Sequence, residues 1–273
     1  MNEFHPSDIE LMPGMRQEKS PLNALAEDLG FDFSASEKIP AGDKERLREE
    51  MTRAAQTLID EYGDKQGLLS AEKQEWLMSL AESTLLLTRG DYEQLAAFIS
   101  VQQEEDPVVL QQVTGMIQKG GVFMDPCALA MTWHALPDRE EGKLILFDYD
   151  RTPHTSEASD HYFPAIAVEE LLHAVDRSED VLRQLPKNTL NARLIQIEQF
   201  AEAAAKVYGS RVLSEEEQLK FLVDNEYIVE GWEFLEHVYG EAELKRLFFA
   251  GEKTVDPIKL LRSVKHIWGN EQL

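Results

Sequence analysis

Cysteine is nearly absent from this chain, which has only Cys127 among its 273 residues. A single thiol excludes an internal disulfide, and it also excludes a zinc cluster built on cysteines. A chain without disulfides is typical of a reducing compartment. The scarcity of cysteine therefore favours a cytoplasmic protein.

Long apolar runs are also lacking. No segment approaches the roughly 20 consecutive apolar residues that a membrane-spanning helix requires, so we expect no membrane span. The first residues, Met1 to Pro6, lack the basic and apolar regions of a cleaved signal peptide. If the protein leaves the cytoplasm, we expect export without a cleaved signal peptide.

Basic residues are scarce. Lys and Arg total 27 against 51 for Asp and Glu, which gives a formal net charge of −24 at pH 7. A field of that sign repels the phosphate backbone of nucleic acids. Nucleic acid is therefore excluded as an expected partner. A peptide or protein, and a basic one in particular, suits the charge better, as does a bound cation.

The composition predicts one large domain behind a tail. The hydrophobic content of 43% is ordinary for a globular protein of this length. Residues 1–42 scatter prolines among polar residues without a sustained period, which predicts a flexible N-terminal tail. Residues 43–273 then form a single domain, in which a helical part, 43–119, precedes a second part, 120–273.

Apolar residues at three- and four-residue steps predict helices through most of the chain. The first helix begins at Asp43 and ends at Gly63, and the next begins at Ser70 and continues through Leu85 and Leu86. Further helices are predicted over 91–101, 107–118, 189–207, 214–238 and, in two pieces, within 241–268.

The middle of the chain has a different pattern. Two short apolar runs, 128–136 and 143–150, flank a polar turn that contains Pro137 and Gly142. This pattern predicts a β-hairpin. A further helix is predicted to begin near Pro164, a residue suited to a first helical turn. The predicted fold class is α+β, predominantly helical, with a small sheet followed by this helix and others.

The helix after the hairpin carries the most informative motif, Glu169-Glu170-Leu171-Leu172-His173. In the pattern H-E-x-x-H, two histidines at i and i+4 bind zinc, and the glutamate beside the first acts as general base toward the metal-bound water. Glu170 and His173 match that base and the second ligand, while Glu169 takes the place of the first histidine. A carboxylate can also bind zinc, so Glu169 and His173 are candidate ligands and Glu170 is a candidate catalytic base.

The helix that carries this motif has one apolar face, expected to pack against the sheet. That face consists of Val168, Leu171, Leu172 and Val175. Glu169, His173 and Asp176 lie along one flank of it, where Asp176 could orient the histidine. Because Glu–His pairs at this spacing also occur on solvent-exposed helices, the pair by itself leaves a metal site and a surface pair open.

A second motif lies downstream, Glu226-Tyr227-Ile228-Val229-Glu230-Gly231-Trp232. Together the two motifs resemble the catalytic domain of anthrax lethal factor and the related Pro-Pro endopeptidases. The resemblance covers roughly residues 140–240. It implies a zincin-like fold for the part 120–273 and a third metal ligand at Glu226. That family also has a tyrosine shortly before the third ligand, which stabilises the oxyanion. Position 219 is Leu219 here, and Tyr208 is the candidate for that role.

The third ligand has competitors in the preceding predicted helix. Glu198 and Glu202 also fit an acidic ligand that follows His173 in sequence, as in other zincins with a glutamate ligand. The sequence leaves the choice among Glu226, Glu198 and Glu202 open.

These residues predict a metal-dependent peptidase with a variant Glu-His-Glu site. A carboxylate in place of an imidazole makes the metal a weaker Lewis acid and moves its preference from zinc toward manganese or iron, so weak or no activity is expected. The alternative is a catalytically dead zincin-fold module that binds a partner and holds no metal. The missing histidine and the missing tyrosine are both catalytic losses, and they favour a degenerate site.

Overall fold

The computed structural model describes residues 32–95, 130–134, 143–150, 163–186, 193–218, 226–265 and 267. Most of these residues are helical, and the strands among them form one small sheet. The predicted α+β, predominantly helical architecture is therefore confirmed. Within the same ranges, none of the helices has the length and apolar character needed to cross a bilayer. The helix predicted at 107–118 lies outside the described residues.

The elements follow one another from the N-terminal helices through the sheet to the C-terminal helices. The helices are α1 (Ser34–Glu37), α2 (Ala41–Leu58), α3 (Ala71–Glu82), α4 (Phe163–Val175), α5 (Ser178–Leu182), α6 (Leu194–Ser210), α7 (Glu226–Tyr239), α8 (Glu241–Ala250) and α9 (Pro257–Val264). The strands are β1 (Leu85–Leu87), β2 (Ala130–His134) and β3 (Lys143–Asp148). A further helix begins at position 89 and is described as far as 95.

The packed region begins upstream of the predicted boundary at Asp43. Phe33, Ser36 and Ile39 are buried, and Ile39 belongs to the main hydrophobic core. The last residues of the predicted tail therefore pack with the domain, whereas 1–31 lie outside the described residues.

Gly63 does not end the first long helix, so that prediction is wrong. After α2 the chain continues as a π-helical segment, Ile59–Lys65. A Cβ at position 63 would lie 2.6 Å from Nε2 of Gln74, whose side-chain amide donates to the backbone carbonyl of Leu69. The glycine at this position leaves room for Gln74 of α3.

The sheet contains the predicted hairpin and one strand that was not predicted. Strands β2 and β3 pair antiparallel, with Thr132 opposite Ile145, which confirms the hairpin. The prediction that Leu85 and Leu86 continue the second helix is wrong, because α3 ends at Glu82 and these residues form β1. Strand β1 pairs parallel with β3, and the sheet order is β1-β3-β2.

Helix α4, which carries the E-E-x-x-H motif, lies at the centre of the packed region. It packs against β2 and β3 on one side and contacts α2 and α6 on others. The predicted packing of this helix on the hairpin is confirmed at the level of the elements, and its predicted apolar face, Val168, Leu171, Leu172 and Val175, is buried. Val168 and Leu172 of that face, however, lie beside Gly209 of α6. This burial fixes the rotation of α4 and thereby the direction in which its polar flank points.

The C-terminal helices pack around α6. Helix α7 contacts α6, α8 and α9, and its Trp232 is fully buried in the core. Helix α9 begins where Asp256 accepts hydrogen bonds from the backbone N–H groups of Ile258 and Lys259, a side-chain cap that satisfies two otherwise free donors. The region predicted as one helix over 214–238 is helical at 215–218 and again in α7, with 219–225 outside the described residues.

Candidate functional site

Helices α4 and α6 bring three possible metal ligands together. Glu169 and His173 lie one turn apart on α4, and Glu202 comes from α6. The ligand atoms of these three residues all lie within 4.8 Å of one another. Carboxylate oxygens and an imidazole nitrogen are donors that zinc, manganese and iron accept. By donor type and spacing, this group could hold a metal ion.

A lysine from α6 stands inside the same group. Nζ of Lys206 lies 2.7 Å from Oε1 of Glu169 and 2.8 Å from Oε1 of Glu202. The side chains of Lys206 and Glu169 are only 17% and 15% exposed. The ammonium therefore bridges carboxylates from two helices. It lies where a metal cation bound by both carboxylates would lie.

His173 completes the arrangement from the other side of Glu202. Its Nε2 lies 3.2 Å from Oε2 of Glu202. Burial alone would lower the pKa of His173, but the hydrogen bond to Glu202 and the charges of Glu170, Glu202 and Glu169 outweigh it and raise the pKa to about 9. At neutral pH the imidazole is therefore a cation that donates to Glu202.

The charges of the other members follow from the same contacts. Burial raises the pKa of Glu169, although Lys206 opposes this by favouring the ionised form. Burial acts in the same direction on Glu202, but the hydrogen bonds and charges of His173 and Lys206 lower its pKa to about 2. Burial would lower the pKa of Lys206, and the two carboxylates raise it instead.

We call Glu169, His173, Glu202 and Lys206 the four-residue network. With both glutamates ionised and both basic groups protonated, its charges sum to zero without a metal. A partly buried set of charges is tolerated when each charge has a hydrogen-bonded partner of opposite sign. The network meets that condition through its own side chains, and it also ties α4 to α6.

Glu170, the candidate base, lies beside the network. It is half-buried, and its negative charge helps to raise the pKa of His173. Successive residues of a helix point roughly 100° apart, so Glu170 does not share the face of α4 that carries Glu169 and His173.

Glu226, the predicted third ligand, is not part of the network. It is exposed at the first position of α7. Glu202, one of the two alternatives that the sequence left open, occupies that place, and Glu198, one turn earlier on α6, is exposed. Glu202 faces α4 because Phe200 and Ala203 on the same helix are buried in the core, which fixes the rotation of α6.

Tyr208, the candidate for oxyanion stabilisation, is a core residue. Its side chain is fully buried, and its ring packs edge-on against Trp232 and Phe248 at centroid distances of 5.5 and 5.3 Å. Its hydroxyl is buried and makes no hydrogen bond within the described part of the chain. Burial raises the pKa of Tyr208 well above its ordinary value. A group enclosed in this way does not offer a hydroxyl to a substrate.

Asp176 was expected to orient His173, but the carboxylate of Asp176 has a different hydrogen-bond partner. Its carboxylate accepts from the backbone N–H of Ser178 at 2.7 Å, at the start of α5. The C-terminus of α4 is held by Lys143, whose Nζ donates to the carbonyl of Ala174 at 2.6 Å. In this structure His173 instead donates its hydrogen bond to the carboxylate of Glu202, a residue that the sequence did not assign to that role.

Without a bound cation, the raised pKa of His173 makes the protein less stable as the pH rises through the neutral range. The folded state keeps a proton that the unfolded chain, with an ordinary value of 6.5, has released. This stabilisation is complete below pH 6.5 and is lost as the pH approaches 9. Between pH 6.5 and 8 we expect the free energy of unfolding to fall by roughly 1.5 kcal/mol through this group.

Urea denaturation at several pH values, on the wild type and on His173→Gln, measures this effect. The variant should lack the decrease between pH 6.5 and 8. Above that range Lys143 acts in the opposite direction, because burial lowers its pKa to about 8. The same decrease in both proteins would contradict the assignment to His173.

Comparisons of this chain with models of known protein families, with curated proteins and with solved structures found no match. The resemblance to the lethal-factor family thus remains a prediction from two sequence motifs. The four-residue network and the surfaces around it are the features of this chain that bear on its function.

Proposed function

We propose that this protein is a catalytically inactive module of zincin-like architecture that acts by binding another protein. The observation that carries the proposal is the position of Lys206, whose ammonium lies 2.7 Å from Glu169 and 2.8 Å from Glu202. In this reading Lys206 replaces the metal cation that the Glu-His-Glu group would otherwise hold.

The arrangement of elements supports the zincin-like part of the proposal. A small sheet precedes α4, α4 packs against that sheet, and a later helix supplies an acidic residue to the motif helix. This is the order of elements that the resemblance implies. The acidic residue that joins Glu169 and His173 is Glu202 of α6. The site therefore lies between α4 and α6, whereas the resemblance implies a site between α4 and α7.

The charge of Lys206 supports the proposal that the protein is catalytically inactive. Two unit charges 4 Å apart repel each other by about 4 kcal/mol at an effective dielectric constant of 20, and a dication beside an ammonium roughly doubles that. A divalent metal would therefore have to expel Lys206 and break both of its ion pairs. With Lys206 in place, no Lewis acid activates a water molecule beside Glu170, and Tyr208 lies enclosed in the core.

Metal content is the direct test. The protein should be purified without a histidine tag, dialysed against Zn²⁺ or Mn²⁺ at neutral pH, and analysed for bound metal. We expect substoichiometric metal in the wild type. Lys206→Met, and more so Glu169→His combined with Lys206→Met, should bind Zn²⁺ at least about tenfold more tightly, since the ammonium is gone and an imidazole suits zinc better.

Lys245→Met is the matched control. Lys245 is also largely buried, at 14% exposure, and bridges to Glu241 on its own helix, but it is not part of the network. Its removal should leave metal binding at the wild-type level. Tighter binding in Lys245→Met as well would show that loss of any positive charge suffices, and the role given to Lys206 would then be wrong.

A metal-dependent peptidase is the second candidate, favoured by the convergence of the three ligand atoms within 4.8 Å. In that case the wild type would hold one equivalent of zinc, manganese or iron, with Lys206 displaced. Hydrolysis of a peptide library would be detectable and would be lost in Glu170→Gln, which removes the base without changing a ligand. That pair of results would replace the first proposal.

A further inference from the structure

The outer face of α7 carries an apolar stripe. Tyr227, Phe234 and Val238 are 49%, 48% and 49% exposed, and their spacing of i, i+7 and i+11 places them along one line of the helix. Farther round the helix lie Ile228, Trp232 and Leu235, which are fully buried. Helix α7 thus has a buried apolar face and, roughly 100° around the helix from it, a line of half-exposed apolar residues. We call Tyr227, Phe234 and Val238 the α7 stripe.

The two sides of the α7 stripe differ. One side is acidic, with Glu226, Glu230 and Glu233 exposed next to it. On the other side α7 packs closely against the end of the described chain, because a Cβ on Gly231 would lie 2.8 Å from Cα of Ile267. A binding segment could therefore lie along the stripe with its charged edge over the acidic side.

We propose that the α7 stripe docks a basic amphipathic helix of a partner protein. Apolar side chains of such a helix would cover Phe234 and Val238, and its lysines or arginines would face Glu226, Glu230 and Glu233. Helix recognition by an apolar strip with complementary charges at its rim is an established mode of peptide binding. The inference rests on the proposed binding function and names the surface and the chemistry of the partner.

Charge argues against two other occupants, a second copy of the chain and residues 268–273. A second copy docked through the same surface would bring two acidic edges together, each on a chain with a net charge of −24. Residues 268–273 contain Glu271 and no basic residue, so they would add another negative charge to the acidic side. A basic partner would be attracted to the acidic side of the stripe, whereas both of these occupants would be repelled by it.

A synthetic amphipathic helix of leucine and lysine, labelled with a fluorophore, is the probe. Binding to the full-length protein is followed by fluorescence anisotropy at low and at physiological ionic strength. A second peptide keeps the lysines and replaces the leucines with serine. Because any polycation is attracted to an acidic protein, only the tighter binding of the leucine peptide at physiological ionic strength reports on the α7 stripe.

Two sets of variants locate the binding. Phe234→Ala with Val238→Ala should weaken binding of the leucine peptide by at least about tenfold, and both residues are exposed, so the fold should be retained. Glu230→Lys with Glu233→Lys should weaken it as well and allow an acidic counterpart peptide to bind. Ile195→Ala is the matched control, because Ile195 is 71% exposed on α6, and it should bind like the wild type.

Four results would overturn the inference. Equal affinity for the two peptides, or equal loss in Ile195→Ala, would mean non-specific attraction. Concentration-dependent dimerisation in sedimentation experiments that Phe234→Ala and Val238→Ala abolish would assign the stripe to a second copy. Tighter peptide binding after truncation behind Ile267 would assign it to the C-terminal residues. Stoichiometric metal with peptidase activity would instead overturn the proposed function and leave the peptide affinities unchanged.

Discussion

Replacing Lys206 with methionine is expected to lower the free energy of unfolding by about 3 kcal/mol, the lower end of the range for breaking a buried ion pair. Methionine keeps most of the length of the side chain but removes the ammonium. Glu169, at 15% exposure, then stays in a poorly hydrated position without its partner. Glu202 is 37% exposed and keeps its ion pair with His173, so the loss of Lys206 at Glu202 contributes less to the destabilisation. Urea denaturation at pH 7 measures the loss.

Controls separate this effect from loss of packing. Lys245→Met should cost less than about 1 kcal/mol, since its partners Glu241 and Gln66 are both exposed. Adding Glu169→Gln to Lys206→Met should restore part of the stability, because the unpaired carboxylate is removed. Addition of Zn²⁺ should stabilise Lys206→Met and leave the wild type unchanged. A loss below about 1 kcal/mol in Lys206→Met would mean that water solvates the network and that its ion pairs matter little.

Local patterns were sufficient for the elements that alternate clearly between apolar and polar residues. The hairpin was predictable because a polar turn separates two short apolar runs, and α4 was predictable because its apolar residues repeat at helical spacing. Strand β1 was not, because Leu85, Leu86 and Leu87 are all buried. A strand covered on both faces gives a continuous apolar run, which periodicity cannot distinguish from a buried helix. The role of Gly63 was likewise not predictable, because the glycine leaves room for Gln74 of another helix, and a local sequence pattern contains no information about contacts between helices.

The candidate site was predictable within one helix and uncertain between helices. Glu169 and His173 follow from a four-residue spacing on α4, whereas the acidic residue that joins them depends on how α6 and α7 pack. Glu202 remained one of three alternatives for that reason. Lys206 was missed entirely, although Glu202 and Lys206 have the i, i+4 spacing of an ion pair on a helix. Such pairs are common at surfaces, and only the partial burial of Lys206 against Glu169 distinguishes this one.

The second large effect is expected at Trp232, the last residue of the downstream motif. Trp232→Ala should lower the free energy of unfolding by about 3–5 kcal/mol, the usual range for emptying a buried aromatic site. The indole is fully buried, its ring lies 5.3 Å from Phe200 and 5.5 Å from Tyr208, and its N–H donates to Glu236 at 3.0 Å. Urea denaturation again provides the measurement.

Two further variants decide what the motif on α7 is for. Glu226→Gln should change stability by less than about 0.5 kcal/mol, as is usual at exposed positions. Tyr208→Phe should be neutral or stabilising, since it removes a buried hydroxyl that has no hydrogen bond among the described residues. A large loss in Trp232→Ala beside two near-neutral variants would show that the motif's aromatic residue serves the core. Loss of bound metal or of hydrolysis in Glu226→Gln would contradict this account, because an exposed glutamate at the start of α7 would then be acting on chemistry centred at His173.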